Sequence, residues 1–116
     1  MAAAMRELMW DKVGLVRTAA SLDAARDRLQ AMQRELAAAP AGSAGGFDLS
    51  LLGWYDLRDS LLAAEAVTLA AQNRTESRGA HVREDFPAVD PKFEQNQAIG
   101  LGSAGLAAAW EPVTRQ

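Results

Sequence analysis

Leu49-Ser-Leu-Leu-Gly-Trp-Tyr-Asp-Leu-Arg-Asp-Ser-Leu-Leu-Ala-Ala-Glu-Ala-Val-Thr-Leu-Ala-Ala-Gln-Asn-Arg-Thr-Glu-Ser-Arg78 contains no proline and a single glycine, Gly53, in its first turns. Such a run of good helix formers predicts one long helix over 49–78, roughly 40 Å at 1.5 Å per residue. Asp48 is placed to cap its first backbone N–H groups, with Phe47 and Leu52 at the two positions of a hydrophobic staple. Gly79 supplies the expected stop, because glycine takes the left-handed conformation that closes helices without steric cost.

A helix this long needs partners, and the preceding chain supplies two amphipathic runs. Met5, Leu8, Met9, Val13 and Val16 recur at steps of three and four, so they share one helical face until Gly14 weakens the run. The residues 15–18 read as a connector, and Ser21 as the N-cap of the next helix, with Asp23 in its first turn. There the stripe Leu22, Ala25, Leu29, Met32 and Leu36 is the clearest in the sequence, with Arg26, Asp27, Arg28, Gln33 and Arg34 on the other sides. Burying such a stripe returns less free energy than ordering the helix costs, so it must pack on a neighbour. The short Pro40-Ala-Gly-Ser-Ala-Gly-Gly46 turn makes that neighbour the long helix, antiparallel, with the first helix closing the third side. Arg58 and Glu65 also project toward the apolar face of the long helix. About two turns apart, they cannot pair directly. Either both reach the rim of the stripe and extend to water, or Glu65 is partly buried in an ion pair with a basic group of the first segment, Arg17 being the best candidate.

After Gly79 the character of the chain changes. Asp85-Phe-Pro-Ala-Val-Asp-Pro91 carries two prolines, which forbid helix and favour extended chain. The runs 97–101 and 106–110 flank Gly102-Ser-Ala-Gly105 and predict a β-hairpin, which needs the bundle or another surface to lie on. Gly100-Leu-Gly-Ser-Ala-Gly105 spells the dinucleotide fingerprint G-x-G-x-x-G. However, that fingerprint works by opening a helix inside a βαβ unit, and here too little chain follows. The expected architecture is therefore a single all-α domain, residues 1–116, with a three-helix bundle over 5–78 and an extended C-terminal tail over 79–116 that forms the hairpin.

Composition narrows the function. The 116 residues include no cysteine and one histidine, so neither a Cys nucleophile nor a His-based metal site can be assembled. A net charge of −3 with both signs interspersed argues against nucleic acid or anionic membrane surfaces as partners. No apolar run is long enough to span a bilayer, and the N-terminal residues lack the features of a signal peptide. The expected location is the cytoplasm. On that expectation Asn73-Arg-Thr75, inside a predicted helix, is not a glycosylation acceptor.

What remains is a dense polar stretch, Arg74-Thr-Glu-Ser-Arg-Gly-Ala-His-Val-Arg-Glu-Asp-Phe-Pro87. Its charges can fix a loop through charge-assisted hydrogen bonds at a helix terminus, or form a docking surface. His81 with Ser77 and Asp85 lacks the oxyanion-hole glycines or nucleophile elbow of a catalytic triad, so His81 reads as a loop-holding residue. This stretch resembles the signature of the C-terminal helical domain of the succinate dehydrogenase/fumarate reductase flavoprotein family, which includes L-aspartate oxidase. Arg6-Glu-Leu-Met-Trp-Asp-Lys-Val-Gly-Leu-Val-Arg17 is similar to the opening of the same domain, its Leu-Met-Trp-Asp form leaning toward L-aspartate oxidase. The 64–66 stretch also fits, and order and spacing agree from about Met5 to Val113.

The resemblance implies a spectrin-repeat-like bundle with an extended tail, taken from a longer protein as an excised domain or a shortened reading frame. It implies FAD as the cofactor of the full-length family, held by segments outside this chain, and no catalytic, cofactor or metal ligand within it. The positions matching the motif, Glu76, Ser77, Arg78, Gly79, His81, Arg83 and Asp85, take an implied structural and interfacial role against flavin-binding and capping domains. Phe86, Trp110 and the hairpin are the apolar groups expected to be uncovered when those domains are missing, with a two-fold homodimer as another way to cover them. The rival reading is a freestanding helical interaction module with no redox role.

Overall fold

The computed structural model describes residues 1–39 and 49–114. Three helices, α1 (Ala2–Lys12), α2 (Ala19–Ala38) and α3 (Leu49–Asn73), are followed by an antiparallel hairpin of β3 (Gln95–Gly102) and β4 (Gly105–Pro112). Two short strands, β1 (Val16–Arg17) and β2 (Val82–Arg83), pair in parallel with Val16 opposite Val82 and Arg17 opposite Arg83. The fold is thus mixed α+β rather than strictly all-α. The expected capping by Asp48, the Phe47–Leu52 staple and the 40–46 turn fall on residues outside those described.

The α2 stripe is buried as its spacing dictates: Leu22, Ala25, Leu29, Met32 and Leu36 all lie inside. Leu29, Met32 and Leu36 meet Leu61 and Ala64 of α3 in one cluster, while Leu22 and Ala25 meet Val13 and Ala71 in a second. Met5, Leu8 and Met9 of α1 pack against these clusters and close the third side. Val16, assigned by periodicity to the same face, instead sits in β1 and is exposed. The α2 helix starts earlier than expected: Thr18 is the N-cap and Ser21 stands at N3. Thr18 Oγ1 accepts from the Ser21 N–H and Ser21 Oγ accepts from the Thr18 N–H, each at 3.0 Å. At the other end of α2, Trp54 Nε1 donates to the Leu36 and Ala39 carbonyls at 3.1 and 2.9 Å.

The helix α3 ends at Asn73, short of the expected Arg78. The carbonyls of its last turn are captured by side chains from later in the chain. Gln97 Nε2 donates to Ala70 O, and Arg83 Nη1 donates to Ala71 O and Gln72 O. Ala70 O still takes the Arg74 N–H at 3.2 Å, but with the Ala71 and Gln72 carbonyls satisfied by Arg83 the backbone leaves the helix, and Arg78 and His81 exchange both N–H···O bonds around a two-residue turn. Gly79, at φ +58°, occupies the first corner of that turn rather than closing α3. The hairpin lies along α3, held by the Gln97 contact and by Asn73 Nδ2 donating to Gln97 Oε1 at 2.9 Å. Its register runs from Gln95 opposite Pro112 to Gly102 opposite Gly105, longer at both ends than the sequence suggests. Among the described residues no helix is long and apolar enough to cross a membrane, and no cluster of three or more His, Asp and Glu could hold a metal ion.

Candidate functional site

The polar stretch after α3 folds into a connected knot at one end of the helices, and Glu76 is its centre. Its side chain is fully buried. Oε2 accepts from Arg74 Nη1 at 2.7 Å and from Arg78 Nε at 3.0 Å, and Oε1 accepts from the Asp90 N–H at 2.9 Å. Burial by itself would push this carboxyl up, but the hydrogen bonds from Arg78, the Asp90 backbone and Arg74 outweigh it and bring the pKa down to about 2. Arg78 rises in turn, chiefly because it donates to Glu76. Arg74 reaches onward, donating to the Phe93 and Gln95 carbonyls at 2.7 and 2.8 Å. Its guanidinium stacks 5.0 Å from the Trp110 ring, tying the hairpin to the knot.

Arg83 is the second anchor, its side chain only 2% exposed. Nε and Nη2 form a fork on Asp85, both at 2.9 Å, while Nη1 takes the α3 carbonyls already described. Asp85 Oδ2 also accepts from the N–H of Ala19, the first residue of α2, at 2.9 Å. One ion pair therefore sets a cation at the C-terminus of α3 and an anion at the N-terminus of α2, each complementing a helix dipole. The Arg83 bonds hold the Asp85 carboxyl well below its ordinary range, against the opposing effect of burial. Ser77 locks the loop from inside: Oγ accepts from the Arg83 N–H at 2.9 Å and donates to Phe86 O at 2.8 Å.

His81 faces a different neighbour. Arginine can only donate, so the 2.9 Å contact between Arg17 Nη1 and Nδ1 makes Nδ1 the acceptor, and Nε2–H donates to Arg74 O at 2.9 Å. This is the neutral ring. Burial lowers its pKa most, partly offset by the Arg74 carbonyl bond, and the charges of Arg17, Arg74 and Arg83 lower it further. Arg17 Nε donates to the Val13 and Gly14 carbonyls at 3.3 and 3.1 Å, ending α1 as Arg83 ends α3. The expected Arg17–Glu65 pair is not formed. Glu65 is instead buried between α2 and α3, with Gln30 Nε2 at 3.4 Å and Arg26 Nε at 3.9 Å. Arg17, carried by β1 beside β2, goes to His81 instead.

Sequence reasoning thus placed Glu76, Ser77, Arg78, Gly79, His81, Arg83 and Asp85 in one segment, and the structure brings all seven into one loop. It missed the contributions of Asp90, Phe93 and Gln97, which arrive from the tail through backbone groups and an amide with no motif of their own. Trp110 is half-buried, its ring 5.2 Å from Phe93. Phe86 is 41% exposed, less than Trp10 at 79% and Leu15 at 80%. The G-x-G-x-x-G spelling lies within β3, the hairpin turn and the start of β4, where it opens no helix. The Glu76 and Asp85 carboxylates and the Ser77 hydroxyl are spent on internal bonds, so the arrangement clamps chain segments together.

A family model described as "Fumarate reductase flavoprotein C-term" matches residues 2–115. The fumarate reductase (CoM/CoB) of Methanothermobacter marburgensis has a chain that is 37% identical over 92 residues, covering 79% of this chain and 17% of that protein. L-aspartate oxidase 1 of Ralstonia nicotianae is 35% identical over 88 residues, covering 76% and 16%. Among solved structures, Mycobacterium smegmatis Sdh1 in complex with UQ1 superposes with a TM-score of 0.71 at 32% identity, over 97% of this chain and 20% of that one. A mutant of E. coli quinol fumarate reductase FrdA shares the fold with a TM-score of 0.88 at 24% identity, over 98% and 21%. The chain spans about a fifth or less of the relatives it matches. Matched over nearly its whole length, the chain belongs to the fumarate reductase flavoprotein C-terminal domain family.

Proposed function

We propose that this chain is the non-catalytic C-terminal domain of an FAD-dependent oxidoreductase acting on a dicarboxylate or amino acid, and that it packs against the flavin-binding and capping domains. The observation that carries the reading is the knot. Glu76, Arg83 and Asp85 are the groups best suited to chemistry, and their hydrogen-bonding capacity is committed to holding α2, α3 and the hairpin together. The small share of each relative that the chain matches supports a supporting rather than a reacting part. Glu76, Ser77, Arg78, Gly79, His81, Arg83, Asp85 and Phe86 then act by shaping the end of the domain that meets its neighbours.

The test is a hybrid in which this chain replaces the matching C-terminal segment of the Methanothermobacter marburgensis fumarate reductase (CoM/CoB), assayed beside the chain alone. The reading expects the hybrid to retain FAD and reduce fumarate, while the chain alone gives no saturable FAD binding. One FAD per isolated chain would overturn it. A hybrid whose two parts fold but make no contact would favour the freestanding interaction module.

A further inference from the structure

The half-buried Arg17 is charged but lacks an acid. The other buried or half-buried arginines among the described residues each face a carboxylate: Arg26 faces Glu65, Arg74 and Arg78 face Glu76, and Arg83 faces Asp85. Arg17 meets only the Val13 and Gly14 carbonyls and the neutral His81 ring. Of its five N–H donors two are used, through Nε and Nη1, and the other three find no partner among the described residues. Burial alone displaces its pKa downward, with no acid opposing the shift. None of these free N–H groups is among the buried unpartnered side-chain atoms of the described residues, so they stay open to solvent and to a carboxylate supplied from outside the chain.

The surroundings define what that something is. Arg17 lines two clefts at once. One, of about 450 Å³, is rimmed by Trp10, Leu15, Val16 and Ala80. The other, of about 530 Å³, has Arg74, His81, Asn96 and Gln97 along its polar side. Trp10, Leu15 and Val16 are 79%, 80% and 58% exposed, and they adjoin the guanidinium in sequence and in space. Exposed aromatic and aliphatic groups beside an unpaired arginine make the combination that anchors protein interfaces. A second copy of this chain is a poor occupant, because a two-fold axis through this face would bring Arg17 toward its own copy.

We propose that this face receives a segment of the flavin-bearing part of the polypeptide that presents a carboxylate to Arg17 and a neighbouring apolar side chain to the cleft beside Trp10. The proposal rests on the domain reading above and adds the place and chemistry of the contact. The carboxylate completes the ion pair that Arg17 lacks and leaves Arg17 Nη1 on His81, so docking also steadies the knot.

The test uses 3-phenylpropanoate, a carboxylate joined to an apolar ring, titrated into isotope-labelled chain and followed by NMR, with 3-phenylpropanamide as the neutral control. Shifts should concentrate at the Trp10 indole, the Arg17 Nε–H and His81, with a dissociation constant on the order of 1–10 mM. The amide should bind about tenfold more weakly. Arg17→Gln should abolish that preference. Because Arg17 also ends α1, Trp10→Ala provides a second variant at an exposed position and should weaken binding of both compounds. Equal binding of acid and amide, shifts centred elsewhere, or no change up to about 50 mM would overturn the proposal. The hybrid experiment fails or succeeds separately: an assembled hybrid with no carboxylate preference here sinks the docking chemistry and leaves the domain reading intact.

Discussion

At the scale of single residues, the most consequential side chain is a carboxylate that does no chemistry. Glu76 is buried with three donors on its two oxygens, so replacing it by glutamine leaves two guanidiniums without their counter-charge while keeping the shape. Breaking a buried pair in this way costs about 3–5 kcal/mol. The sign of the pH dependence follows from the depressed pKa. The Glu76 contribution is present above the ordinary value of 4.5 and fades as pH falls toward about 2. Asp85, depressed by Arg83, adds stability with the same sign. His81 is also held below its ordinary 6.5, so its neutral ring stabilises the fold above that pH, and the contribution declines as acid protonates Nδ1 against Arg17. Denaturant unfolding measured from pH 7 to pH 2 should show stability falling first below 6.5 and then steeply below 4.5, with Glu76→Gln flattening the second fall. An unchanged second limb in that variant would show that Glu76 contributes no linked stability.

At the scale of elements, what was legible was whatever periodicity alone controls. The five α2 positions are buried because their spacing leaves no other face to bury, and the hairpin is recognisable from its glycines and flanking apolar runs. The end of α3 was not legible, since residues 74–78 are acceptable helix formers. What stops the helix is the capture of the Ala71 and Gln72 carbonyls by Arg83, which arrives from 12 and 11 residues away. For the same reason β1 and β2 were invisible: two-residue strands have no pattern, and only the knot places them side by side. The sequence makes Arg17 a candidate partner for Glu65, but which group it meets depends on where β1 runs, and that is beside His81. Gly79 was correctly singled out for positive φ while its use was misassigned. No atom lies within 4 Å of where a Cβ would stand, so Gly79→Ala meets only the backbone cost of φ +58°. The expected loss is about 1–2 kcal/mol, readable as a lowered Tm, with Gly79→Asn milder because asparagine tolerates this region better. Equal stability of all three would mean the turn does not hold its φ in solution.

At the scale of the whole molecule, the charged groups of the knot and its flank fall into two sets. One set, Glu76 with Arg74 and Arg78, and Arg83 with Asp85, is satisfied within the chain and fixes α2, α3 and the hairpin at one end. The other is Arg17, the one buried or half-buried arginine among the described residues that faces no carboxylate, beside the exposed Trp10, Leu15 and Val16. The chain matches about a fifth or less of the length of its relatives, and the proposed domain reading has that exposed face covered by the flavin-bearing part. Hydrogen exchange compared between the chain alone and the fumarate reductase hybrid tests this most directly. The account predicts added protection in the hybrid at residues 10–17 and 78–87, with the exposed outer face of α2 around Arg28 and Arg34 unchanged. Identical exchange at 10–17 and 78–87 in the two samples, with FAD bound in the hybrid, would contradict it.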